Sequence, residues 1–463
     1  MLFAFISFGI TCYSSTLLRV TSCPHQDSYA YRYIGMLIAK GGMPYLDAFD
    51  NKGPVLYIIN WLGYLISKSF GVYLFELLFI FLFFLFQYRI ALLFSKGAGA
   101  VVFTIASASA LSVFYVGNMT EEYALPFLSL GLYAFVSYFL FNKMSRADIY
   151  LCGLGFACVF MLRPNMIMLW VVFCIYVIVH ELIKNKKFPI GFTVIFLAGA
   201  MSVLIPIMIW LQAGGAALDF FKDYFLANFI YCGNRFSLRM FAGSYFHFLI
   251  SSFMEVHLVL LLILIIRNKD RVFNIVYFIY MVLNLGFVCM AGICFDNYAM
   301  ILVPSFIYPI CAFWKYFESE DKFIKKKIYP LLWAVSSILL FVFICKNIIV
   351  CTGTLASGNK LRAIDQRALD TIASYTDEDD RILMLGYKCM YYVEADRLCS
   401  CRIYYNTRQN NYPDGQEAAV ELINENLPKL LIVENGEDPD DLFLNYDKYE
   451  IVDRDNGIWL REE

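Results

Sequence analysis

G-V-Y-L-F-E-L-L-F-I-F-L-F-F-L-F-Q-Y-R-I-A-L-L-F, residues 71–94, is an apolar run interrupted only by Glu76, Gln87 and Arg89. A helix needs about 20 such residues to cross the hydrocarbon core of a bilayer. Similar runs lie near 2–19, 98–117, 123–141, 148–162, 165–183, 189–211, 244–266, 272–293, 299–317 and 329–350. The pattern predicts a mainly α, polytopic membrane protein with about 11 transmembrane helices. The stretch 54–67 is shorter, contains Gly63 and ends at Lys68, and reads as an interfacial or re-entrant helix. Composition agrees: of 463 residues, 60% are apolar, 18% aromatic and 16% charged, which excludes an ordinary soluble domain.

Charge divides the chain and orients it. Residues 1–354 hold 25 Lys and Arg against 16 Asp and Glu, whereas residues 355–463 hold 12 against 23. If residue 1 begins in the cytoplasm, the cytoplasmic turns carry Arg89/Lys96, Lys143/Arg146, Lys184/Lys186/Lys187, Arg267/Lys269/Arg271 and Lys315/Lys322/Lys325/Lys326/Lys327. The opposite turns 118–122, 163–164 and 294–298 hold one basic residue, Arg163. The positive-inside rule then sets a cytoplasmic N-terminus and, with an odd number of spans, an extracytoplasmic tail. A signal peptide is the rival reading of the first run, with V-T-S-C before Pro24 faintly like a lipoprotein cleavage site. The expected division is a membrane domain over 1–354, with a first outer loop at 20–70, and a small extracytoplasmic α/β domain over 355–463. In the tail, 360–375 and 416–426 read as helices, and 381–386, 429–434 and 457–460 as strands.

Two outer loops are long, 20–70 and 212–243, and long loops carry function. The first contains H-Q-D-S-Y-A-Y, residues 25–31. Asp27 there reads as a helix cap or as a general base above the bilayer. Ala30, Ile34, Leu37 and Ile38 share one helical face, and Gly41-Gly42 stops it. P-Y-L-D-A-F-D-N-K-G-P follows at 44–54, crowding Asp47, Asp50 and Lys52 into six residues. These form a solvated turn, or a site in which Lys52 reaches a lipid phosphate.

Further outer-face candidates are Glu121 and Glu122, Arg163, Asp296-Asn297-Tyr298, and Arg235 and Arg239. The two glutamates suit a helix start, and an arginine fork suits phosphate. Glu76, Glu255 and His257 fall inside predicted spans, where ionisable residues are functional candidates. Fourteen cysteines are scattered, many in apolar runs; Cys389, Cys399 and Cys401 are thiols or a disulfide. His25 and Asp27 make at most half a metal site, so neither a metal nor a cofactor is expected. No nucleic-acid signature appears.

Together, H-Q-D-S-Y-A-Y, G-G-M-P-Y-L-D-A-F-D-N-K-G-P, T-E-E-Y-A-L-P-F (120–127), M-L-R-P-N (161–165) and N-Y-A-M-I-L-V-P (297–304) resemble the GT-C superfamily of membrane glycosyltransferases. The protein-mannosyltransferase-like and aminoarabinose-transferase-like bacterial branch is the nearest in pattern. The resemblance implies transfer of a sugar from a polyprenyl-phosphate carrier, at the plasma membrane's outer face, to a protein, lipid or envelope-polymer acceptor. It implies Asp27 as the catalytic residue and Glu121 or Glu122 as a second acid. Lys52 and Arg163 would hold the donor's phosphate, with Asp47, Asp50, Asn297 and Tyr298 beside substrate. The chain departs from the pattern at Asp296-Asn297-Tyr298, where many relatives carry a His before the Tyr. The rival functions are a polytopic transporter or lipid flippase and a non-catalytic envelope-assembly protein. A transporter predicts inverted repeats, and none is visible.

Overall fold

The structure is a computed structural model that describes residues 1–19, 26–114, 117–267, 270–290, 292, 295–318, 329–405, 412–434 and 443–462. His25, the V-T-S-C stretch, Lys269, Lys322, Lys325, Lys326 and Lys327 lie outside the described residues, as does the Arg235 side chain. Among the described residues, seven helices are long and apolar enough to cross a membrane: Gly71–Phe94, Thr120–Phe141, Met168–Asn185, Ile190–Ala213, Arg271–Val288, Asp296–Phe317 and Ala334–Ala356. Leu238–Ser251 and Met254–Arg267 meet at a 78° bend and make an eighth if counted as one span. The protein is thus a mainly α, multi-pass membrane protein with a small C-terminal sheet.

Fewer helices pass the length test than the eleven apolar runs suggested. Leu2–Thr11 and Ala98–Ala108 are shorter than the runs that contain them, and Arg146–Phe160 has only 15 residues. The first stops early for a local reason. The Ser14 hydroxyl accepts the Thr16 amide at 3.2 Å, a turn that competes with the helical ladder. The run 244–266 is broken where Phe253 takes a left-handed backbone with φ 60°.

Contacts divide the chain into two compact units. A helical unit comprises Met1–Cys12, Glu76–Pro206 and Arg235–Val350. A loop–tail unit comprises Tyr13–Phe75, Ile207–Asn234 and Cys351–Glu463. Packing therefore joins the first long loop, and much of the second, to the acidic tail.

Within the loop–tail unit, α1 (Gln26–Ala39) and α2 (Pro54–Ile66) lie against each other. The end of α1 is set by Gly41 at φ 90° and by amides of Gly41 and Gly42 that return to Ile38 and Leu37 at 3.0 and 2.9 Å. This is the glycine stop that the sequence announces. Gly53 caps α2 and Pro54 fills its first position, where a missing amide costs nothing.

The tail carries α3 (Ala363–Tyr375), α4 (Met390–Ala395) and α5 (Gln416–Glu425) around a five-stranded sheet. Its strands are β1 (Arg381–Leu385), β2 (Leu398–Cys399), β3 (Leu430–Val433), β4 (Tyr449–Asp453) and β5 (Ile458–Arg461), in the order β2-β1-β3-β5-β4. β1 runs parallel to β2 and β3, and β5 antiparallel to β3 and β4. Ile382 to Leu385 and Leu430 to Ile432 are buried, as the continuous apolar runs of central strands require. β2 and β4 are absent from the sequence reading: one is two residues long, and the other is an edge strand carrying Glu450 and Asp453.

Two features of this unit generate predictions. A Cβ on Gly35 would lie 2.5 Å from the Asn60 carbonyl carbon, which as backbone has little room to give. Gly35→Ala is expected to cost about 1–3 kcal/mol and to lower the melting temperature of the purified protein. Gly191→Ala, with nothing within 4 Å of the added carbon, should leave it unchanged. Asp396 takes Lys68 at 2.9 Å and Lys40 at 3.1 Å, clipping α4 to the ends of α1 and α2. Burial opposes its ionisation, but hydrogen bonds and charge from Lys68 and Lys40 hold the carboxyl below its ordinary value. The unfolded chain therefore binds this proton first, and the clip's contribution is present above about pH 4 and lost as pH falls below it. The melting difference between wild type and Asp396→Asn should accordingly shrink in acid.

Candidate functional site

The stretch 44–54 is a built turn rather than a solvated one. Tyr45 is fully buried at φ 69°, and its hydroxyl donates to the Lys52 carbonyl at 2.8 Å. Asp47 is exposed and accepts the Met43 amide at 2.7 Å, so its carboxylate shapes the turn. Asp50 has no exposed surface. Its oxygens accept the Tyr404 hydroxyl at 3.1 Å and the Lys52 amide at 3.3 Å. The Lys52 ammonium donates to Asn51 Oδ1 at 2.9 Å, and Asn228 from the second long loop donates to the Asn51 carbonyl at 2.7 Å.

Asp27 lies in the first turn of α1, half-buried. Its carboxylate accepts the Tyr405 hydroxyl at 3.2 Å, from 378 residues away in sequence. Consecutive tail tyrosines thus reach the two acids that the loop motifs singled out. The tail segment is itself anchored to α1. The Cys399 amide donates to the Tyr33 hydroxyl at 3.0 Å, and the Tyr33 and Tyr404 rings stack 4.6 Å apart. Arg402 donates to Asp223 at 2.6 Å and sits 3.6 Å from Asp219, while its carbonyl accepts the Phe49 amide at 2.8 Å. Burial pushes the Asp223 carboxyl up to about 8, against the pull of Arg402.

The other candidates belong to the helical unit. Arg163 donates to Glu121 at 2.6 Å, and its guanidinium lies 4.2 Å from the Tyr298 ring centre. Three predicted residues therefore meet, and the Arg163 charge is already answered by a carboxylate. Glu122, fully buried in the first turn of Thr120–Phe141, accepts the Gly117 amide at 3.0 Å and lies within electrostatic reach of Glu76. Asn297 is half-buried in the short-pitch helix Asp296–Phe306, and Asp296 sits 3.6 Å from His247 in an exposed pair. His257 stacks on Phe306 at 4.1 Å, with Nδ1 2.9 Å from the Phe253 carbonyl. Glu255 begins the helix after the 78° bend.

Tyr404, Tyr405, Arg402 and Asp223 escaped the sequence reading. Each meets its partner across more than 170 residues, and no local spacing signals such a contact. The cysteines that the structure describes, Cys389, Cys399 and Cys401 among them, are thiols. Among the described residues, no group of three or more His, Cys, Asp or Glu could hold a metal ion.

The Glu121–Arg163 pair has side chains only 3% and 12% exposed. Removing one partner of such a pair strands the other charge. Glu121→Gln is expected to destabilise the protein by about 3–5 kcal/mol, read as loss of melting temperature.

No curated protein matches this chain in sequence. Two solved structures match its fold over nearly its whole length. ArnT from Cupriavidus metallidurans in the apo state superposes with a TM-score of 0.64 at 12% identity, covering 99% of this chain and 96% of that one. The same protein bound to undecaprenyl phosphate gives a TM-score of 0.63 at 11% identity, covering 99% and 97%. The fold is therefore GT-C-like. A family match runs from residue 2 to residue 322, well over half of the sequence, and the chain therefore belongs to the family described as competence-induced protein Ccs4 N-terminal domain.

Proposed function

We propose that this protein is a membrane glycosyltransferase that moves a sugar from a polyprenyl-phosphate carrier to an acceptor at the outer face of the membrane. The observation that carries the proposal is Asp27. It is a half-buried carboxylate at the start of an amphipathic helix, oriented by a tail tyrosine, in the same unit as a turn that presents Lys52. The ArnT structure with undecaprenyl phosphate supports the class of donor, because a protein of this fold accepts that lipid.

A polyprenyl phosphate keeps its chain in the bilayer and presents the sugar's anomeric carbon at the interface. The acceptor's hydroxyl or amine attacks that carbon and passes its proton to Asp27, which acts as general base. The bond from the anomeric carbon to the phosphate oxygen breaks, and its electron pair leaves with the lipid phosphate. Lys52 answers the negative charge that grows there. In-line attack inverts the anomeric centre. Tyr405 holds the carboxylate in place and is a positioning residue.

Asp27→Asn keeps the shape and removes the base. With purified protein, labelled polyprenyl-phosphate sugar and a cell-envelope acceptor fraction, its turnover should fall by about 100-fold or more. Lys52→Gln should chiefly raise the donor concentration needed for half-maximal rate. Undiminished turnover in Asp27→Asn would remove that residue from catalysis.

A further inference from the structure

The loop–tail unit holds a second polar cluster that the proposed chemistry does not use. It lines a cavity of about 410 Å³ bordered by Ser15, Leu17 to Arg19, residues 68–70 just after α2, and the end of α4. Arg32, on α1, is 7% exposed. Its guanidinium forms no ion pair among the described residues. It reaches the Ser15 carbonyl at 3.4 Å and the Lys68 carbonyl at 3.3 Å, with the Tyr29 ring 4.8 Å away. Those are long bonds for a group with five N–H donors. The carboxylates nearby are engaged elsewhere: Glu394 with Arg19 at 3.2 Å and Asp396 with Lys68 at 2.9 Å. Ser15 Oγ, in a residue 2% exposed, has no hydrogen-bond partner among the described residues and belongs to the same cavity lining.

A buried unpaired charge beside an orphaned hydroxyl is costly, and both are satisfied at once by an incoming anion. Arg19, Arg32 and Lys68 set three cations against the two lining carboxylates of Glu394 and Asp396, and the surplus positive charge at Arg32 favours phosphate, whose oxygens suit the guanidinium fork. The setting favours a lipid as the source. Phe70 also lines the cavity, is 47% exposed, and immediately precedes the span Gly71–Phe94.

We propose that this cavity is a binding site for a phosphate group, with Arg32 and Ser15 on the phosphate oxygens and Arg19 and Lys68 at its rim. The position at the start of a span makes the phosphate of a membrane-lipid head group the favoured source, with free phosphate the other. The site is separate from Lys52. Lys52 precedes the thirteen-residue α2 and Lys68 follows it, which separates them by roughly 20 Å at 1.5 Å per residue. The assignment stands whether or not the protein transfers a sugar.

The test uses the full chain in detergent, with binding measured by native mass spectrometry and calorimetry for two probes, dioctanoyl phosphatidylglycerol and inorganic phosphate. Arg32→Gln should weaken binding about tenfold or more, Ser15→Ala severalfold, and Lys187→Gln, at an exposed position outside the cavity lining, not at all. Lipid binding with this pattern supports the head-group source. The same pattern for inorganic phosphate alone supports the site with free phosphate as its ligand. Binding of neither probe, or binding indifferent to both Arg32→Gln and Ser15→Ala, overturns the proposal. Without either probe, Arg32→Gln should melt no lower than wild type, because it removes an unanswered buried charge. A lower melting temperature with unchanged affinity would make Arg32 a structural tie and also overturn it. If Arg32→Gln does not fold, Ser15→Ala decides.

Discussion

Asp50 has no exposed surface, and a buried carboxylate is costly unless its oxygens are hydrogen-bonded. The Tyr404 hydroxyl and the Lys52 amide meet that demand. The arrangement of the loop–tail unit follows from this constraint. To bring Tyr404 to Asp50, the tail must lie along α1, where Tyr33 takes the Cys399 amide and stacks on the Tyr404 ring. Once it lies there, the next residue reaches Asp27. Arg402, two residues before Tyr404, closes the arrangement on Asp219 and Asp223 of the second long loop.

The tail therefore participates in the proposed site. The family match ends at residue 322, before this tail begins, whereas both solved relatives are matched along the whole chain. A first-loop motif can thus supply the reacting carboxylate while a more distant segment sets its orientation. Orientation by a phenol adds no charge beside the carboxylate, since tyrosine donates a hydrogen bond as a neutral group.

Much of the site was legible from short-range pattern. Asp27 ahead of an amphipathic helix, the Gly41-Gly42 stop and Gly53-Pro54 at the start of α2 each obey a rule that operates within a few residues. The strands Arg381–Leu385 and Leu430–Val433 were equally clear, because these central strands bury a continuous apolar run, residues 382–385 and 430–432. The pattern was silent where energy came from distant partners. Asp47 and Asp50 look alike in sequence, yet one is an exposed turn-former and the other a buried acceptor. Arg163 and Glu121 were each singled out, but their spacing in sequence did not announce that they pair. Hydropathy sees an apolar run but not the hydroxyl at Ser14 or the left-handed residue at Phe253 that interrupts it.

By itself, the sequence determined that the chain lives in a membrane, that its spans are helical and that an acidic α/β tail follows them. Those properties depend on composition and on periodicities of two to four residues. The bilayer enforces the first two, because unpaired backbone groups are intolerable in hydrocarbon. Tertiary structure alone decided which acids are oriented, which cations are answered and which are left open. Tyr405 on Asp27, Glu121 on Arg163 and Arg32, which has no ion pair among the described residues, all depend on groups meeting across stretches from 17 to 378 residues long. Charge and hydrogen bonding act over a few ångströms, and only the folded chain sets those distances.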